Sequence, residues 1–353
     1  MRAQNQLVAK LNNKNVITEL LIRKAPISRI ELSKITGLSK MTVTNIVNEL
    51  ADEGIIKTLG AEDTALGRKP IALAIKPESR NFLGIYISRN HINAMSGDLS
   101  GKLNVHKRIR TPHSADELIK SIFLMIDELV SNTKNISGIG VSSIGPVDYK
   151  KGVILNPPNF HGIKNLAIKE LLEKRYNLPV YLDKDTNASA LAEWLFGKAR
   201  DVSDYVYLGV TKGIGAAVIS EDTLYRGANG FGGEIGHITV DLNGKRCSCG
   251  NIGCLEMYAS IDDDENTDIR QKCRYLAAGV TALINLFDPS VIYLGHEIAK
   301  YGDDVAKMLQ EEINSRYLTS DIKKIGVEIS AFGEKAPVYG AFSLAVCGYI
   351  GKI

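Results

Sequence analysis

The chain has 353 residues, 44% hydrophobic and 24% charged, a balance that excludes extended disorder and allows two or three folding units at roughly 100–200 residues each. No stretch reaches the roughly 18 apolar residues of a membrane span, and the first fifteen residues lack the apolar centre of a signal peptide, so the expected location is the cytoplasm, with no membrane contact. The net charge of +3 is unevenly spread: residues 1–80 hold 13 Lys/Arg against 8 Asp/Glu and the remainder 30 against 32, so a basic head on a mildly acidic body suits contact with nucleic acid.

Three helical patterns come first. Val16, Ile17, Leu20 and Leu21 recur at helical spacing before Pro26. Ser28-Arg29-Ile30-Glu31 reads as a capping box opening a second helix, with Leu32 and Ile35 on its apolar face and Gly37 as its left-handed stop. Ser39 caps a third, whose buried face takes Met41 or Val43, then Ile46, Val47 and Leu50, before Gly54. A short helix, a turn around Thr36-Gly37-Leu38 and a second helix make a helix-turn-helix. Its third helix would enter the major groove, with Ser39 at its start and Lys40, Thr42, Thr44, Asn45 and Asn48 facing outward as groups able to reach phosphates and base edges. A plain three-helix bundle with a polar surface fits the same spacing.

Ile55–Leu59 and Lys69–Ile75 read as two strands of a wing. Gly67-Arg68-Lys69-Pro70 stands at the end of the loop between them, where Arg68 and Lys69 could enter a minor groove or simply form a solvated hairpin tip. From Phe82 the pattern changes. Leu83–Ile87 and Ile92–Ser96 read as paired strands with Gly97–Gly101 as a turn, a helix covers Ala115–Thr133, and a strand Ile136–Ser142 follows. Strands and helices then alternate to the end, an α/β arrangement.

Cys247, Cys249 and Cys254 cluster within eight residues, while Cys273 and Cys347 stand apart as expected buried thiols. His237 precedes the cluster. Three thiolates and one imidazole make a full tetrahedral set for zinc, and a site closed by four protein ligands is structural. The alternative is ordinary thiols beside a free imidazole. Asp262-Asp263-Asp264-Glu265 lacks the glycine and glutamate of a calcium loop and reads as solvated.

Gly227–His237 and Cys247–Glu256 carry the most specific signal, and with them the chain resembles the ROK family of sugar kinases and related repressors, within the actin-like ATPase fold. Pro26-Ile27-Ser28-Arg29 and Thr36–Lys40 resemble its xylose- and N-acetylglucosamine-repressor branch. The resemblance implies a winged helix-turn-helix over residues 1–78 and a two-lobed sugar-binding body over 79–353. One lobe would span 79–195 with a C-terminal helix at 336–352, the other 196–335. It also implies the zinc ligands His237, Cys247, Cys249 and Cys254, and a sugar site of Asn159, Asp185, Glu234, His237 and Glu256, with His237 using one ring nitrogen for zinc and the other for a sugar hydroxyl. Partners would be operator DNA, a sugar effector and a second copy of the chain.

In the family kinases the position of Asp185 is the general base, and an Asp-x-Gly-Gly-Thr loop after the first strand approaches phosphate. Here Tyr86-Ile87-Ser88-Arg89-Asn90 stands at that loop, Lys184 replaces the usual Asn, and Leu294-Gly295-His296 departs from Leu-Gly-Gly. The expectation is a sugar-responsive repressor without turnover, since losing even one preorganised contact commonly reduces rate by on the order of 10²–10³. The alternative is an ATP-dependent sugar kinase with a DNA-binding head. After Tyr258-Ala259-Ser260 the family usually has additional helices, so the second lobe should be smaller.

Overall fold

The computed structural model describes residues 6–59, 63–64, 67–68, 71–261 and 268–353, with backbone alone at 63–64 and 67–68. Lys69, Pro70 and the Asp262–Glu265 run therefore lie outside the described residues, as does the side chain of Arg68.

The head is set by local punctuation. Helix α1 (Gln6–Lys24) is followed by a two-residue strand β1 (Ile27–Ser28) and helix α2 (Arg29–Thr36). Ser28 caps α2 from both sides: its hydroxyl accepts from the Glu31 N–H, and the Glu31 carboxylate accepts from the Ser28 N–H at 2.8 Å. That bond to the backbone holds the Glu31 carboxyl below its usual range. Gly37 ends α2 at φ 70°, where a side chain would be strained. Helix α3 (Lys40–Asp52) is capped by Ser39. Val43, Ile46, Val47 and Leu50 are buried against Ile17, Leu21 and Leu32, each such side chain worth roughly 1.5–3 kcal/mol. Met41 is exposed, so of the two expected alternatives Val43 takes the core position.

Strands β2 (Ile56–Leu59) and β5 (Ala72–Ile75) pair antiparallel, and β1 adds to the far side of β5. Between them β3 (Asp63–Thr64) and β4 (Gly67–Arg68) form their own antiparallel pair.

The body repeats one topology twice. Its first sheet holds β6 (Asn81–Ile87), β7 (His91–Asp98), β8 (Leu103–Arg110), β9 (Ile136–Ser143) and β12 (Val180–Lys184) in the order β12-β9-β6-β7-β8. Strands β6, β7 and β8 form an antiparallel meander, and β9 and β12 join parallel to β6 through helices α4 (Ala115–Asn132) and α5 (Ile168–Tyr176), with a small hairpin of β10 (Val147–Asp148) and β11 (Val153–Ile154) between. The expected turn at Gly97–Gly101 begins two residues later, because Gly97 and Asp98 still pair within the sheet. It leads into β8, a strand not anticipated although its burial alternates residue by residue.

The second sheet comprises β13 (Tyr205–Val210), β14 (Ile214–Ser220), β15 (Thr223–Tyr225), β16 (Val291–Gly295) and β17 (Gly326–Ile329) in the order β15-β14-β13-β16-β17. It again has an antiparallel meander followed by two parallel strands. Helices α7 (Glu256–Ala259), α8 (Ile269–Phe287) and α9 (Gly302–Ile313) belong to this lobe. Two buried helices, α6 (Asp185–Phe196) and α10 (Ala336–Tyr349), pack together behind the first sheet. Gly140 on β9 lets α10 approach, since a Cβ there would lie 1.9 Å from the Ala341 carbonyl.

Head and body share one apolar core, and a charged knot closes their junction. Arg23 of α1 donates to Glu19 at 2.9 Å and to the Arg200 carbonyl at 2.6 Å, pairs with Asp222 at 3.1 Å, and lies 4.3 Å over the Trp194 ring. Lys352 pairs with the other oxygen of Glu19 at 2.9 Å, and Trp194 donates to Asp222 at 2.8 Å. Among the described residues no helix is long and apolar enough to cross a membrane.

Candidate ligand cleft, metal centre and DNA face

The carboxyl ends of β6, β9, β12, β13 and β16 face one cleft between the two sheets, where α/β folds present their ligand sites. The cavity is about 460 Å³ and is lined by Arg89, Lys184, Asp185, Glu234, His237, Glu256 and His296, among others. That volume suits a small molecule.

Asp185 is the first residue of α6, and its carboxylate accepts from the Thr186 N–H at 2.8 Å. The helix N-terminus favours its charge. Glu234 follows the turn Gly230–Gly233. Lys184 reaches across to it at 2.7 Å and to the Gly232 carbonyl at 2.6 Å. Beside this pair, Arg226 holds the buried Asp183 at 2.8 Å, and Asn187 donates to the other Asp183 oxygen at 2.7 Å. Two ion pairs therefore tie the lobes together at the cleft's edge. Asn159 alone of the five expected sugar contacts is absent from the lining: it is exposed at φ 55°, one residue beyond the lining residue Pro158.

Three cleft residues stand out in the sequence only as departures from the family pattern, with nothing to mark them as contacts. Lys184 engages Glu234, as described. Arg89 sits in the turn Ser88–Asn90, which the Ser88 hydroxyl and N–H close onto the His91 carbonyl at 2.9 and 3.0 Å, and its Nε donates to the Pro158 carbonyl at 3.0 Å. His296 follows β16 and lines the cleft from a buried position. Tyr86, at the end of β6 before this turn, is half-buried, and its surroundings hold the phenol well above the usual range, chiefly by desolvation.

His237, Cys247, Cys249 and Cys254 each offer one ligand atom, and these atoms lie within 4.8 Å of one another, so the four could hold a metal ion. Cys247 Sγ is 3.7 Å from His237 Nδ1, and Cys249 Sγ is 3.7 Å from Cys254 Sγ. An ideal tetrahedron with metal–sulfur bonds of about 2.3 Å has sulfur–sulfur edges of about 3.8 Å, so the donor set fits. Without a cation, burial pushes the Cys254 thiol up to about 12, whereas the Asn251 backbone holds Cys249 below its usual value. Cys273 and Cys347 are buried outside this ligand group, and burial raises both thiols.

On the head, Ser39, Lys40, Asn45 and Asn48 are exposed and Thr42 and Thr44 half-buried, along one side of α3. Three hydroxyls already have local work: Ser39 accepts from the Thr42 N–H at 3.1 Å and shares a bond with the Thr42 hydroxyl, and Thr44 donates to the Lys40 carbonyl at 2.8 Å. Lys40, Asn45 and Asn48 keep long or amide side chains at the surface. Arg29, from α2, lies beside Asn48 at 3.5 Å and adds a cation that sequence reasoning did not assign to this face.

The sequence profile of the ROK family matches residues 82–263 and 262–347, and that of a winged helix-turn-helix DNA-binding domain matches residues 10–57. The xylose repressor of Bacillus subtilis is 29% identical over 382 aligned positions, covering 99% of both chains; the alignment is longer than this chain, so the relative carries segments absent here. A crystal structure of a ROK family transcriptional regulator, described as a homologue of the Escherichia coli MLC protein, superposes with a TM-score of 0.82 at 28% identity, covering 97% of each chain. The ROK hexokinase of Thermus thermophilus superposes at 0.66 with 28% identity, covering 76% of this chain and 99% of its own.

Proposed function

The chain belongs to the ROK family, and on that premise we propose that it is a sugar-responsive transcriptional repressor acting in the cytoplasm. The observation that carries this is the nearly full-length likeness to a named repressor and to a transcriptional regulator of the family, whereas the hexokinase likeness covers 76% of this chain.

The α3 face reads operator DNA in the major groove. Asn45 and Asn48 supply amides for base edges, while Lys40 and Arg29 supply phosphate contacts. Arg68 and Lys69 of the wing contact the neighbouring minor groove. Two chains pair so that two heads meet a twofold operator. The effector is a neutral sugar in the cleft, held by Asp185, Glu234, His237 and Glu256, with Asn159 reaching it from the cleft's mouth. The metal is zinc, held by His237 Nδ1 and the three thiolates; when bound it supplies a structural crosslink, with no ligand position left for chemistry. That fixes the ring so that Nε2 faces the cleft.

The reading without turnover is supported by the closed Ser88–Asn90 turn and by Arg89 and His296 lining the cleft where the family kinases keep glycine. Such bulk opposes the close backbone approach that phosphate binding uses. Sugar release of DNA would run through α6. This helix begins at Asp185 in the cleft and reaches Trp194, under Arg23, about 14 Å further on at 1.5 Å per residue. The knot also includes Asp222 of the second lobe, so a change in the angle between lobes moves α1.

The DNA face is tested by fluorescence anisotropy with the DNA upstream of the chain's own coding sequence. Asn45→Ala should weaken operator binding by about 1–3 kcal/mol and relax specificity at one base position, while Lys40→Ala should weaken all sequences alike and shallow the salt dependence by about one charge. If neither substitution alters affinity, α3 is not the reading helix.

A further inference from the structure

One buried polar atom facing the cleft has no hydrogen bond. His296 is only 4% exposed; its Nδ1 lies 3.1 Å from the Tyr207 hydroxyl, but its Nε2 is unpartnered. Asp185 Oδ2 stands 3.7 Å from that nitrogen, beyond hydrogen-bond reach. An orphaned buried donor costs about 1–3 kcal/mol. The backbone adds strain, since His296 sits at φ 68°, a conformation that suits glycine far better than histidine. The fold nevertheless makes room for the ring. A Cβ on Gly209 would lie 2.8 Å from both imidazole Cε1 and Nδ1, so only the bare glycine on β13 admits this side chain.

We infer that His296 is a sugar-binding residue: one ligand hydroxyl seats between Asp185 and His296, donating to the carboxylate and accepting from Nε2–H. That puts the ring proton on Nε2 and leaves Nδ1 to accept from the Tyr207 hydroxyl. A hydroxyl is the group that donates and accepts at once. A phosphate or carboxylate oxygen only accepts and would face the Asp185 charge at close range. His296 therefore sets specificity for an unsubstituted hydroxyl at this position. The inference rests on the reading of the cleft as a sugar site and deepens it.

The test is calorimetric titration of the full chain with D-xylose, D-glucose and N-acetyl-D-glucosamine, followed by the monodeoxy and monophosphate analogues of the tightest binder. His296→Gly is the informative variant, because glycine adopts this φ without strain, which offsets part of the packing lost against Tyr207. The variant should bind the parent sugar about tenfold or more weakly. One monodeoxy analogue should lose about tenfold on the native chain and under about threefold on the variant, as a shared contact requires. Phosphorylation at that same hydroxyl should abolish binding to the native chain. Parent affinity within about threefold in the variant, or a deoxy penalty unchanged by it, overturns the assignment while leaving the sugar cleft intact. If the native chain binds none of the three sugars or their phosphates, the sugar reading itself falls, and this inference with it.

Discussion

Removing the metal is expected to lower the melting temperature by roughly 10 °C and to abolish sugar binding. Between Thr239 and Cys254 the backbone is held by bonds such as Val240 N–H to the Gly253 carbonyl, but the fully buried side chains there are those of two ligands, Cys247 and Cys254. Its ladder is two isolated bridges, Thr239 with Cys254 and Arg246 with Ile252, and Leu242 and Ile252 point their apolar side chains outward. The four ligand atoms, drawn within 4.8 Å, therefore stand in for a local core. Losing a crosslink worth about 5 kcal/mol shifts a domain of this size by about 2 °C per kcal/mol. The same loss frees the His237 ring, so its cleft-facing nitrogen no longer aims at the ligand. Calorimetry with and without a chelator, and with Cys249→Ser, measures both effects. Operator binding in the absence of sugar should persist, because the head's core contains none of these residues. An unchanged melting temperature together with unchanged sugar affinity contradicts a structural metal.

Arg23→Met should disconnect sugar from DNA. Arg23 and Glu19 are nearly fully buried, and removing the cation leaves Glu19 with Lys352 alone and Asp222 without its guanidinium. Breaking a buried pair from one side costs about 3–5 kcal/mol where the remaining charge is uncompensated, and less here, because Lys352 still faces Glu19 and the Asp222 side chain is 43% exposed. The apolar stem of methionine keeps much of the contact with Trp194. Sugar affinity should stay within about twofold of the native chain, because the cleft lies at the other end of α6. The ratio of operator affinity without sugar to that with sugar, expected in the range of about 5–150 for the native chain, should fall below about three. Retention of the full ratio in Arg23→Met would show that the signal takes another route.

The head was readable because its signals are local. Ser28 with Glu31, Gly37 and Ser39 each act within four residues, and each sits in the role that its chemistry dictates. The metal set was readable for the same reason, since three thiols and an imidazole within eighteen residues have few other uses. Strand β8 was missed although Leu103, Val105 and Ile109 alternate, because His106, Lys107 and Arg108 between them look like a polar loop. The junction knot left no trace in the sequence: Arg23, Trp194, Asp222 and Lys352 come from four distant segments, and only tertiary packing brings them together. The cleft was half legible. Its carboxylates came from the family resemblance, whereas the Lys184–Glu234 pair and the orphaned His296 nitrogen depend on side-chain geometry across the two lobes. Asn159 shows the converse, a motif residue that this structure leaves outside the cleft lining.

If occupancy of the cleft governs the head, the most direct measurement is operator affinity of the intact chain at fixed salt, with and without saturating D-xylose, D-glucose or N-acetyl-D-glucosamine. One of these sugars should weaken operator binding by about 5–150-fold, equivalent to 1–3 kcal/mol of coupling. Operator affinity indifferent to all three, alongside ADP release from ATP in the presence of any of them, would contradict it.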